Sequence, residues 1–420
     1  MPEHDVLIVG GGLAGLACGL ELHAGGARPL ILEAGDGVGG RVRTDVQDGF
    51  RMDRGFQVLL EAYPECRRIL DYEALELKAF YPGATIWTGK DFTRFSDPYR
   101  RPQDVMATLA SPLGSFSDKL RVTRLRKEVR QGPPRDLLAG PDVTTKEDLE
   151  AMGFSSGMIQ GFFRPFFGGV LLSPDLSDSS RIFRYIFRMF SEGDISVPAR
   201  GMGEIPLQMA DRLPEASIRL HARVDSVTPG GVRLDSGEEI QADVLVLATE
   251  GPEAARLFPG IRVPGSKGAT CLYFQAPEPP LEGPILVLDG SGSGPVNNLA
   301  VMSQISADYA PPGQNLVAVG CIGLPSGSPE ETEAAVRRQL KDWFGGAVEE
   351  WRLLRSYRIP HAQPGQPPGV LEPAERPVRL GPGRFVCGDH RETASLQGAI
   401  HSGRRAAREV LAEQGTGAVD

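Results

Sequence analysis

The feature that most constrains this chain is a glycine-rich turn within its first twenty residues. An apolar run over residues 6–9 stops at Gly10, and Gly10, Gly12 and Gly15 form the pattern G-x-G-x-x-G. The run predicts a buried parallel strand, and the small apolar residues that follow predict a helix. In such a unit the first glycine makes the turn, the second admits a pyrophosphate and the third lets helix and strand pack closely. The unit therefore predicts a dinucleotide site, because the unpaired N–H groups of a helix N-terminus favour an anion.

A carboxylate stands at the distance expected for a ribose. A second apolar run over residues 30–32 ends in Glu33, 21 positions after Gly12. At the carboxyl end of a strand this side chain can accept hydrogen bonds from ribose hydroxyls. It would repel a 2′-phosphate, so we expect an adenosine with a free 2′-hydroxyl beside Glu33 and Ala34.

The residues after Glu33 favour FAD over NAD. Gly39 and Gly40 allow a close approach to the backbone, and Arg41 offers several donors to phosphate oxygens. The stretch EAGDGVGGRVRT resembles the second half of the N-terminal FAD signature of the flavin amine oxidase and phytoene desaturase superfamily, which includes protoporphyrinogen oxidase. The resemblance is dense over residues 5–57. It implies an enzyme, an FAD-dependent oxidoreductase.

The C-terminal segment RFVCGDHRETASLQGAIHSGRRAAREVL resembles the second flavin motif of that superfamily. We expect a strand to end at Gly388 and Asp389 and a helix to begin near Ser395. Small residues let this helix approach a flat ring, and its N-terminal dipole favours negative charge on a reduced flavin. The resemblance implies that Asp389 accepts a ribityl hydroxyl. Members that bind flavin covalently place a cysteine after this loop, and none stands here, so we expect non-covalent FAD.

The resemblance implies further contacts along the chain. Gly55 and Phe56 would lie near the flavin ring, together with Gln57 as a weaker candidate, while Val224 would contact the adenine and Ala248 the ribose and phosphates. The predicted cofactor-binding residues are Gly10, Gly12, Leu13, Ala14, Gly15, Glu33, Ala34, Gly39, Gly40, Arg41, Gly55, Phe56, Val224, Ala248, Gly388, Asp389, Gln397, Gly398 and Ala399.

The length and the resemblance predict an α/β chain with two interleaved domains. A chain of 420 residues suggests two or three domains. We expect a Rossmann-type FAD-binding domain with a β-meander and an α+β substrate domain made of a sheet with helical cover. The predicted boundaries are 1–60, 201–262 and 375–420 for the FAD-binding domain, and 61–200 and 263–374 for the substrate domain.

Particular segments carry the finer expectations for secondary structure. Residues 55–60 and 239–249 are each expected to form one strand, and 201–214 a helix. In the second domain we expect strands at ATCLYFQ, PILVL, NLAVMSQI, NLVAVGCIG and VEEWRLLRSYRI, with a helix from Pro329 to Phe344.

Composition excludes several classes of protein. A net charge of −9 argues against a nucleic-acid partner. The five cysteines are odd in number and lack C-x-x-C spacing, which indicates reduced thiols. With no secretory signal and no apolar run of 18 residues, we expect a cytoplasmic protein, and we expect no metal site.

A basic amphipathic helix is expected at 117–130, capped by Ser117 or Asp118. Two interpretations remain open for its Lys- and Arg-rich surface. It is either an ordinary solvated face of the substrate domain or a surface that lies on an anionic membrane.

The segments 157–172 and 180–190 contain seven of the 18 phenylalanines. Helices this apolar form a core, wall off a large apolar cavity or contact a membrane. All three interpretations remain open. We expect an apolar substrate rather than a small polar one.

No catalytic residue stands out. Amine-oxidising members carry a lysine on the strand that corresponds to ATCLYFQ. Here Thr270 precedes Cys271, and the nearest lysine, Lys267, is expected to lie before the strand. His361, in a loop expected near the flavin, and Arg164, in an otherwise apolar helix, are weak candidates.

Three functions follow from this pattern. The favoured one is a dehydrogenase, desaturase or isomerase that transfers hydride from an apolar, isoprenoid- or carotenoid-like substrate to flavin N5, with oxygen or a quinone-like electron acceptor. An amine oxidase or a protoporphyrinogen oxidase-like enzyme is the alternative. A flavin-less prenyl carrier, like the Rab GDP-dissociation inhibitors of the same fold, is disfavoured by the intact Glu33, Arg41 and Asp389 set.

Overall fold

The fold, taken from a computed structural model, is described for residues 4–416 and is built on several sheets. In chain order the strands are β1 (Val6–Val9), β2 (Pro29–Leu32), β3 (Thr44–Gln47), β4 (Phe50–Asp53), β5 (Leu59–Leu60), β6 (Lys78–Ala79), β7 (Gly83–Trp87), β8 (Phe92–Ser96), β9 (Ile195–Val197), β10 (Ile218–Arg219), β11 (Val224–Thr228), β12 (Gly231–Leu234), β13 (Glu239–Gln241), β14 (Val244–Leu247), β15 (Ser266–Ala276), β16 (Leu286–Asp289), β17 (Val296–Val301), β18 (Asn315–Ile322), β19 (Arg352–Pro364), β20 (Arg379–Gly381) and β21 (Arg384–Val386).

The helices lie between and over these sheets. They are α1 (Leu13–Ala24), α2 (Pro64–Ile69), α3 (Val105–Ala110), α4 (Phe116–Val129), α5 (Thr145–Ala151), α6 (Ser156–Met158), α7 (Arg164–Leu171), α8 (Ser180–Glu192), α9 (Glu204–Ala210), α10 (Gly251–Leu257), α11 (Met302–Ile305), α12 (Pro329–Phe344) and α13 (Leu396–Thr416).

A six-stranded sheet holds the two ends of the chain together. Its order is β10-β2-β1-β14-β21-β20, and β1 pairs in parallel with both β2 and β14. The strands β1, β2 and β14 are buried along their whole length, as expected of a parallel sheet covered on both faces. This sheet, with α1 packed against it, confirms the predicted Rossmann-type α/β fold.

The last helix, α13, packs directly on the first, α1. A Cβ at Gly403 would lie 2.1 Å from the carbonyl oxygen of Ala14, so only a glycine at this position permits the close approach. Arg404 donates to Glu21 over 2.8 Å and adds a charged contact between the same two helices. The start of α13 is thereby fixed beside the glycine turn that precedes α1.

Three expectations for this half of the chain are corrected. Residues 239–249 form two strands, because β13 completes the meander β11-β12-β13 while β14 enters the six-stranded sheet. Only Leu59–Leu60 of the run 55–60 is a strand, since the Gln57 amide donates to the carbonyl oxygens of Arg41 and Arg54 and holds a loop. The helix expected at 201–214 is shorter and spans Glu204–Ala210.

The second large sheet has seven strands in the order β19-β15-β18-β17-β16-β7-β8. Helix α12 covers one face through Val336, Leu340 and Trp343, and Ser328 caps it with Glu331. The predicted strands are present with two departures, because 302–305 forms α11 and 348–350 belongs to a 3-10 helix before β19. Lys267 lies inside β15, so the expectation that it precedes the strand is wrong.

The strands of the two sheets follow the predicted domain segments. Those of the six-stranded sheet come from 1–60, 201–262 and 375–420, and those of the seven-stranded sheet from 61–200 and 263–374. The domain boundaries themselves remain a prediction.

The helix expected at 117–130 is α4, and its cap is Ser115 rather than Ser117 or Asp118. The carboxylate of Asp118 accepts from the backbone N–H groups of Ser115 and Ser155. Burial alone would raise the pKa of Asp118, but these hydrogen bonds lower that pKa to about 2. The buried carboxylate thus joins the start of α4 to Ser155, which caps α6.

Two further expectations concern the cysteines and membrane spans. All five cysteines are free and buried. Among residues 4–416, no helix combines the length and hydropathy needed to cross a bilayer.

Candidate functional site

A cavity of about 680 Å³ lies where the two ends of the chain meet. Gly10 and Gly12 line it from the N-terminal turn, and Gly388 and Asp389 line it from the C-terminal segment. The sequence therefore correctly placed these two distant segments at one site.

The three glycines of the N-terminal turn have three different surroundings. Gly10 has a φ of +110° and lies against the carbonyl oxygen of Ala248, 2.8 Å from where a Cβ would stand. A Cβ at Gly15 would lie 2.0 Å from the Gly10 oxygen, so helix and strand touch there. A Cβ at Gly12 would meet nothing within 4 Å, because Gly12 faces the open cavity. These are the surroundings that the pattern predicts for a pyrophosphate cradle.

The carboxylate of Glu33 is held rigidly at one end of the cavity. One oxygen accepts from the N–H of Gly11 over 2.8 Å and the other from the N–H of Gly35 over 2.7 Å. Each oxygen keeps a further lone pair for a ligand donor. Glu33 thus has the position and the free acceptors that a ribose diol requires.

An ion pair joins the two flavin motifs across the cavity. Arg41 donates to the carboxylate of Asp389 over 2.8 Å and to the carbonyl oxygen of Ala362 over 2.9 Å. Burial alone would lower the pKa of Arg41, but the Asp389 carboxylate outweighs it and raises that pKa. Sequence reasoning assigned the two residues to separate parts of the cofactor and missed their pairing.

The other end of the cavity is walled by apolar side chains. Phe166 of α7 and Phe190 of α8 lie with ring centroids 5.0 Å apart, and both line the cavity. Further apolar residues complete this wall: Val58, Leu60, Val170, Leu171, Leu172, Ile186, Leu286, Leu288 and Ile359. Two of the three interpretations of the Phe-rich segment therefore apply. Phe166 and Phe190 form a cavity wall, and Phe163, Phe167 and Phe183 are fully buried in the core.

Most of the predicted cofactor residues line this cavity. They are Gly10, Gly12, Leu13, Ala14, Glu33, Ala34, Gly39, Gly40, Arg41, Gly55, Phe56, Val224, Ala248, Gly388, Asp389 and Ala399, together with Gln57.

Two of the predicted cofactor residues in α13 point elsewhere. The Gln397 side chain accepts from the N–H of Glu65 at the start of α2, and a Cβ at Gly398 would lie 2.0 Å from the Thr393 carbonyl oxygen. Neither residue lines the cavity, because this face of the helix packs against its own loop and against α2.

The two weak catalytic candidates also lie outside the cavity. His361 is exposed, and Arg164 donates to the carbonyl oxygens of Gln160 and Asp289. The ladder between β15 and β19 shifts register between Lys267–Gln363 and Ala269–Ile359, so simple alternation does not determine which side chains of 359–363 face the cavity. Ile359, Ala362 and Gln363 do so.

Sequence reasoning missed several polar lining residues. Arg223, Glu250 and Glu253 line the cavity, and so do Asn297 and Asn298 of β17. Two adjacent asparagines interrupt the otherwise apolar strand β17, and this pattern could have identified them as candidate site residues.

These features fit a dinucleotide with a flat ring system. The glycine cradle, the fixed carboxylate and the Arg41–Asp389 pair line the same cavity, and Ala394, Ser395 and Ala399 bring the first turn of α13 to it. Small side chains at that turn leave room for a ring, and the helix N-terminus favours negative charge there. The residues present therefore suit a flavin dinucleotide.

Comparison with known proteins places the chain in a class of flavoenzymes. The family of flavin containing amine oxidoreductases matches residues 13–411. The chain belongs to this family.

The chain is also similar to particular members. It is 22% identical to the coproporphyrinogen III oxidase of Propionibacterium freudenreichii subsp. freudenreichii over 316 residues, which are 60% of this chain and 58% of that protein. It is 36% identical to protoporphyrinogen oxidase 2 of Arabidopsis thaliana over 77 residues, or 18% of this chain and 15% of that protein. The chain therefore spans less than two thirds of the length of these relatives.

A solved structure shows the same fold. Cyclohexylamine oxidase from Brevibacterium oxydans IH-35A superposes with a TM-score of 0.73 at 18% identity, covering 99% of this chain and 100% of that one.

Replacing Gly12 with Val tests the cradle. Because a side chain at Gly12 enters only open cavity, the fold should keep its stability within about 0.5 kcal/mol. FAD should bind at least about 100-fold more weakly, since the side chain occupies the pyrophosphate position. Flavin absorbance per protein and thermal unfolding measure the two effects. Gly346→Val, at another open and exposed glycine, is the control; a Gly12→Val protein that retains its flavin would contradict the placement.

Proposed function

We propose that this protein holds FAD non-covalently and oxidises or isomerises an apolar, isoprenoid-like substrate. The observation that carries the proposal is that the dinucleotide cradle and the Phe166–Phe190 wall belong to one continuous cavity. Bound there, the flavin would accept a hydride at N5. The apolar wall would hold a substrate carbon close to that position and keep water away, which supplies much of the rate of a hydride transfer.

Non-covalent binding is supported by the positions of the thiols. Within residues 4–416, no cysteine lines the cavity, and all five are buried elsewhere. Burial raises the pKa of Cys321 to about 12, which leaves its thiol protonated and unreactive at neutral pH.

The surroundings of the lysine on β15 disfavour an amine oxidase. Lys267 donates to the carbonyl oxygen of Leu171 and forms an ion pair with the buried Asp178. Thr270 donates to the carbonyl oxygen of Gly323 over 3.0 Å. In the described part of the chain no lysine lines the cavity, so the group that amine-oxidising members present to the flavin has no counterpart at this wall.

Anaerobic titration of the bound flavin tests the proposal. Polyenes, porphyrinogens and simple amines are each added, and bleaching of the flavin absorbance is followed. An isoprenoid-like polyene, which the apolar wall favours, should either bleach the flavin as it is oxidised or leave the flavin coloured while chromatography shows a new isomer. Simple amines should do neither. On readmission of air or a quinone the colour should return, which identifies the electron acceptor.

Two other outcomes would contradict it. Bleaching by simple amines with release of hydrogen peroxide would show that the protein is an amine oxidase. Bleaching by porphyrinogens alone would identify a protoporphyrinogen oxidase-like enzyme. A protein that stays colourless after addition of FAD would instead favour the function of a flavin-less prenyl carrier.

An exposed patch on α3 and α4 supports contact with a membrane surface. Met106 and Leu109 of α3 and Phe116 and Leu120 of α4 are exposed, the first by 75%. Residues 116–130 carry six Lys or Arg against two Asp or Glu in a chain with a net charge of −9. Arg126 of α4 donates to the Ser191 carbonyl oxygen at the end of α8, whose Phe190 lines the cavity. The helix that carries Phe116 and Leu120 therefore contacts α8, and this contact supports the arrival of an apolar substrate from an anionic bilayer.

Sedimentation with vesicles rich in phosphatidylserine tests this contact. The double variant Phe116→Ser, Leu120→Ser should bind at least about tenfold more weakly, because two inserted apolar side chains are lost. Leu207→Ser, which changes a leucine that is 50% exposed outside the patch, is the control and should bind like the parent protein. Equal binding by all three proteins would contradict the membrane interpretation.

A further inference from the structure

Tyr63 lies where the apolar wall of the cavity meets the start of α13. Its N–H donates to the carbonyl oxygen of Leu60 over 3.0 Å, and its phenol is hydrogen-bonded with Ser395, the residue before α13. All three residues line the cavity, and Tyr63 itself is only 4% exposed. Among residues 4–416, no other tyrosine lines this cavity, and neither does a histidine, cysteine or lysine. Within this part of the chain, Tyr63 is thus the only phenol that a ligand of the cavity can contact.

Tyr63 is held at a fixed position relative to α13. Its carbonyl oxygen accepts from the N–H of Arg67 over 3.0 Å, and the residue directly precedes the first turn of α2. The N–H of Glu65 in that turn donates to the Gln397 side chain of α13 over 2.8 Å. Because α2 is bonded to α13 in this way, Tyr63 stays beside the N-terminus of α13.

The hydrogen bonds of Ser395 determine what the phenol can donate to. Ser395 Oγ accepts from the N–H of Gly398 over 3.0 Å and lies 3.0 Å from Thr393 Oγ1, which can donate to it. With both lone pairs taken, the Ser395 hydroxyl has only its proton to offer to Tyr63. The carbonyl oxygen of Thr393 is a weak alternative acceptor for that proton, at 3.4 Å. The Ser395 hydrogen bond favours a lower pKa of the Tyr63 phenol, as a bond donated to the phenolic oxygen does. The phenolic proton of Tyr63 is therefore left for a group in the cavity.

The phenol stays protonated at neutral pH. Burial raises the pKa of Tyr63 well above its usual value, and the hydrogen bond with Ser395 offsets only part of that rise. The guanidinium groups of Arg41 and Arg54, which also line the cavity, already pair with the carboxylates of Asp389 and Asp45. Tyr63 thus presents a neutral donor with a free proton, beside a helix N-terminus that favours negative charge.

We propose that Tyr63 donates a hydrogen bond to the flavin ring, at the end of the ring that becomes negatively charged on reduction. This inference rests on the proposed function and deepens it, because it assigns a residue that favours the reduced cofactor. A hydrogen bond to an ionised acceptor is roughly twice as strong as one to a neutral acceptor. The Tyr63 phenol therefore stabilises the reduced flavin more than the oxidised flavin, in the same sense as the N-terminus of α13. The phenol keeps its proton throughout, since the hydride and its two electrons come from the substrate.

The variant Tyr63→Phe tests this role, because it removes only the phenolic hydroxyl and keeps the buried ring. The Kd values of oxidised and of reduced FAD are measured anaerobically, together with the midpoint potential of the bound flavin against a reference dye. Reduced FAD should bind about tenfold more weakly, relative to oxidised FAD, than it does in the parent protein. For a two-electron couple this change lowers the midpoint potential by about 30 mV.

Tyr185→Phe is the matched control. Tyr185 of α8 is a buried tyrosine next to Tyr63 and is 3% exposed, but it does not line the cavity. Loss of its hydroxyl should leave the ratio of the two Kd values unchanged. Both variants should remain folded and yellow with oxidised FAD, because phenylalanine fills the same space as the tyrosine ring.

An unchanged ratio of the two Kd values in a yellow Tyr63→Phe protein would overturn the inference while leaving the flavin assignment intact. An equal fall in midpoint potential in both variants would overturn it as well, because Tyr185 does not line the cavity. A loss of affinity by the same factor for oxidised and reduced FAD would show that Tyr63 does not discriminate between them, and the inference would again fail. A parent protein that stays colourless after addition of FAD would instead show that the proposed function has failed.

Discussion

The ion pair between Arg41 and Asp389 is the interaction on which the rest of the site depends. It joins side chains that are 348 positions apart. Arg41 follows Gly39 and Gly40, and Asp389 follows β21. Asp389 is buried while Arg41 is half-buried, and the carbonyl oxygen of Ala362 accepts a second hydrogen bond from the Arg41 guanidinium. Because Ala362 belongs to β19, the same guanidinium also attaches the seven-stranded sheet to the dinucleotide cradle.

The apolar chamber follows from that connection. Once β19 is fixed beside Arg41, Ile359 and Gln363 face the cavity, and Gln363 in turn holds the last turn of α7 through Val170. Helix α7 then places Phe166 against Phe190 of α8. The wall of the chamber and the cradle of the cofactor are therefore parts of one arrangement, which explains how an apolar substrate and a polar dinucleotide can share a single cavity.

The sequence predicted the cradle well because its signals are local. The glycine spacing and Glu33 depend on one strand–turn–helix unit, and the surroundings of Gly10 and Gly12 follow from it. The resemblance of the C-terminal segment to a flavin motif predicted that Gly388 and Asp389 lie at the same site. The apolar character of the Phe-rich helices left a core, a cavity wall and a membrane contact open, and the structure shows both a core and a wall there.

The remaining parts depend on contacts that no local pattern contains. The register shift in the β15–β19 ladder changes which side chains of 359–363 line the cavity, and His361 is exposed outside it. A catalytic role for His361 stays a prediction. Gln397 turns away because α2 offers it the N–H of Glu65.

Hydrogen–deuterium exchange of the protein with and without FAD tests most directly whether both ends of the chain grip one flavin. With free FAD at ten times its Kd, the amides of residues 10–16 and of 388–399 should exchange about tenfold more slowly, and both segments should gain protection over the same FAD concentrations. Protection of one segment alone, with the other unchanged at saturating FAD, would contradict the account.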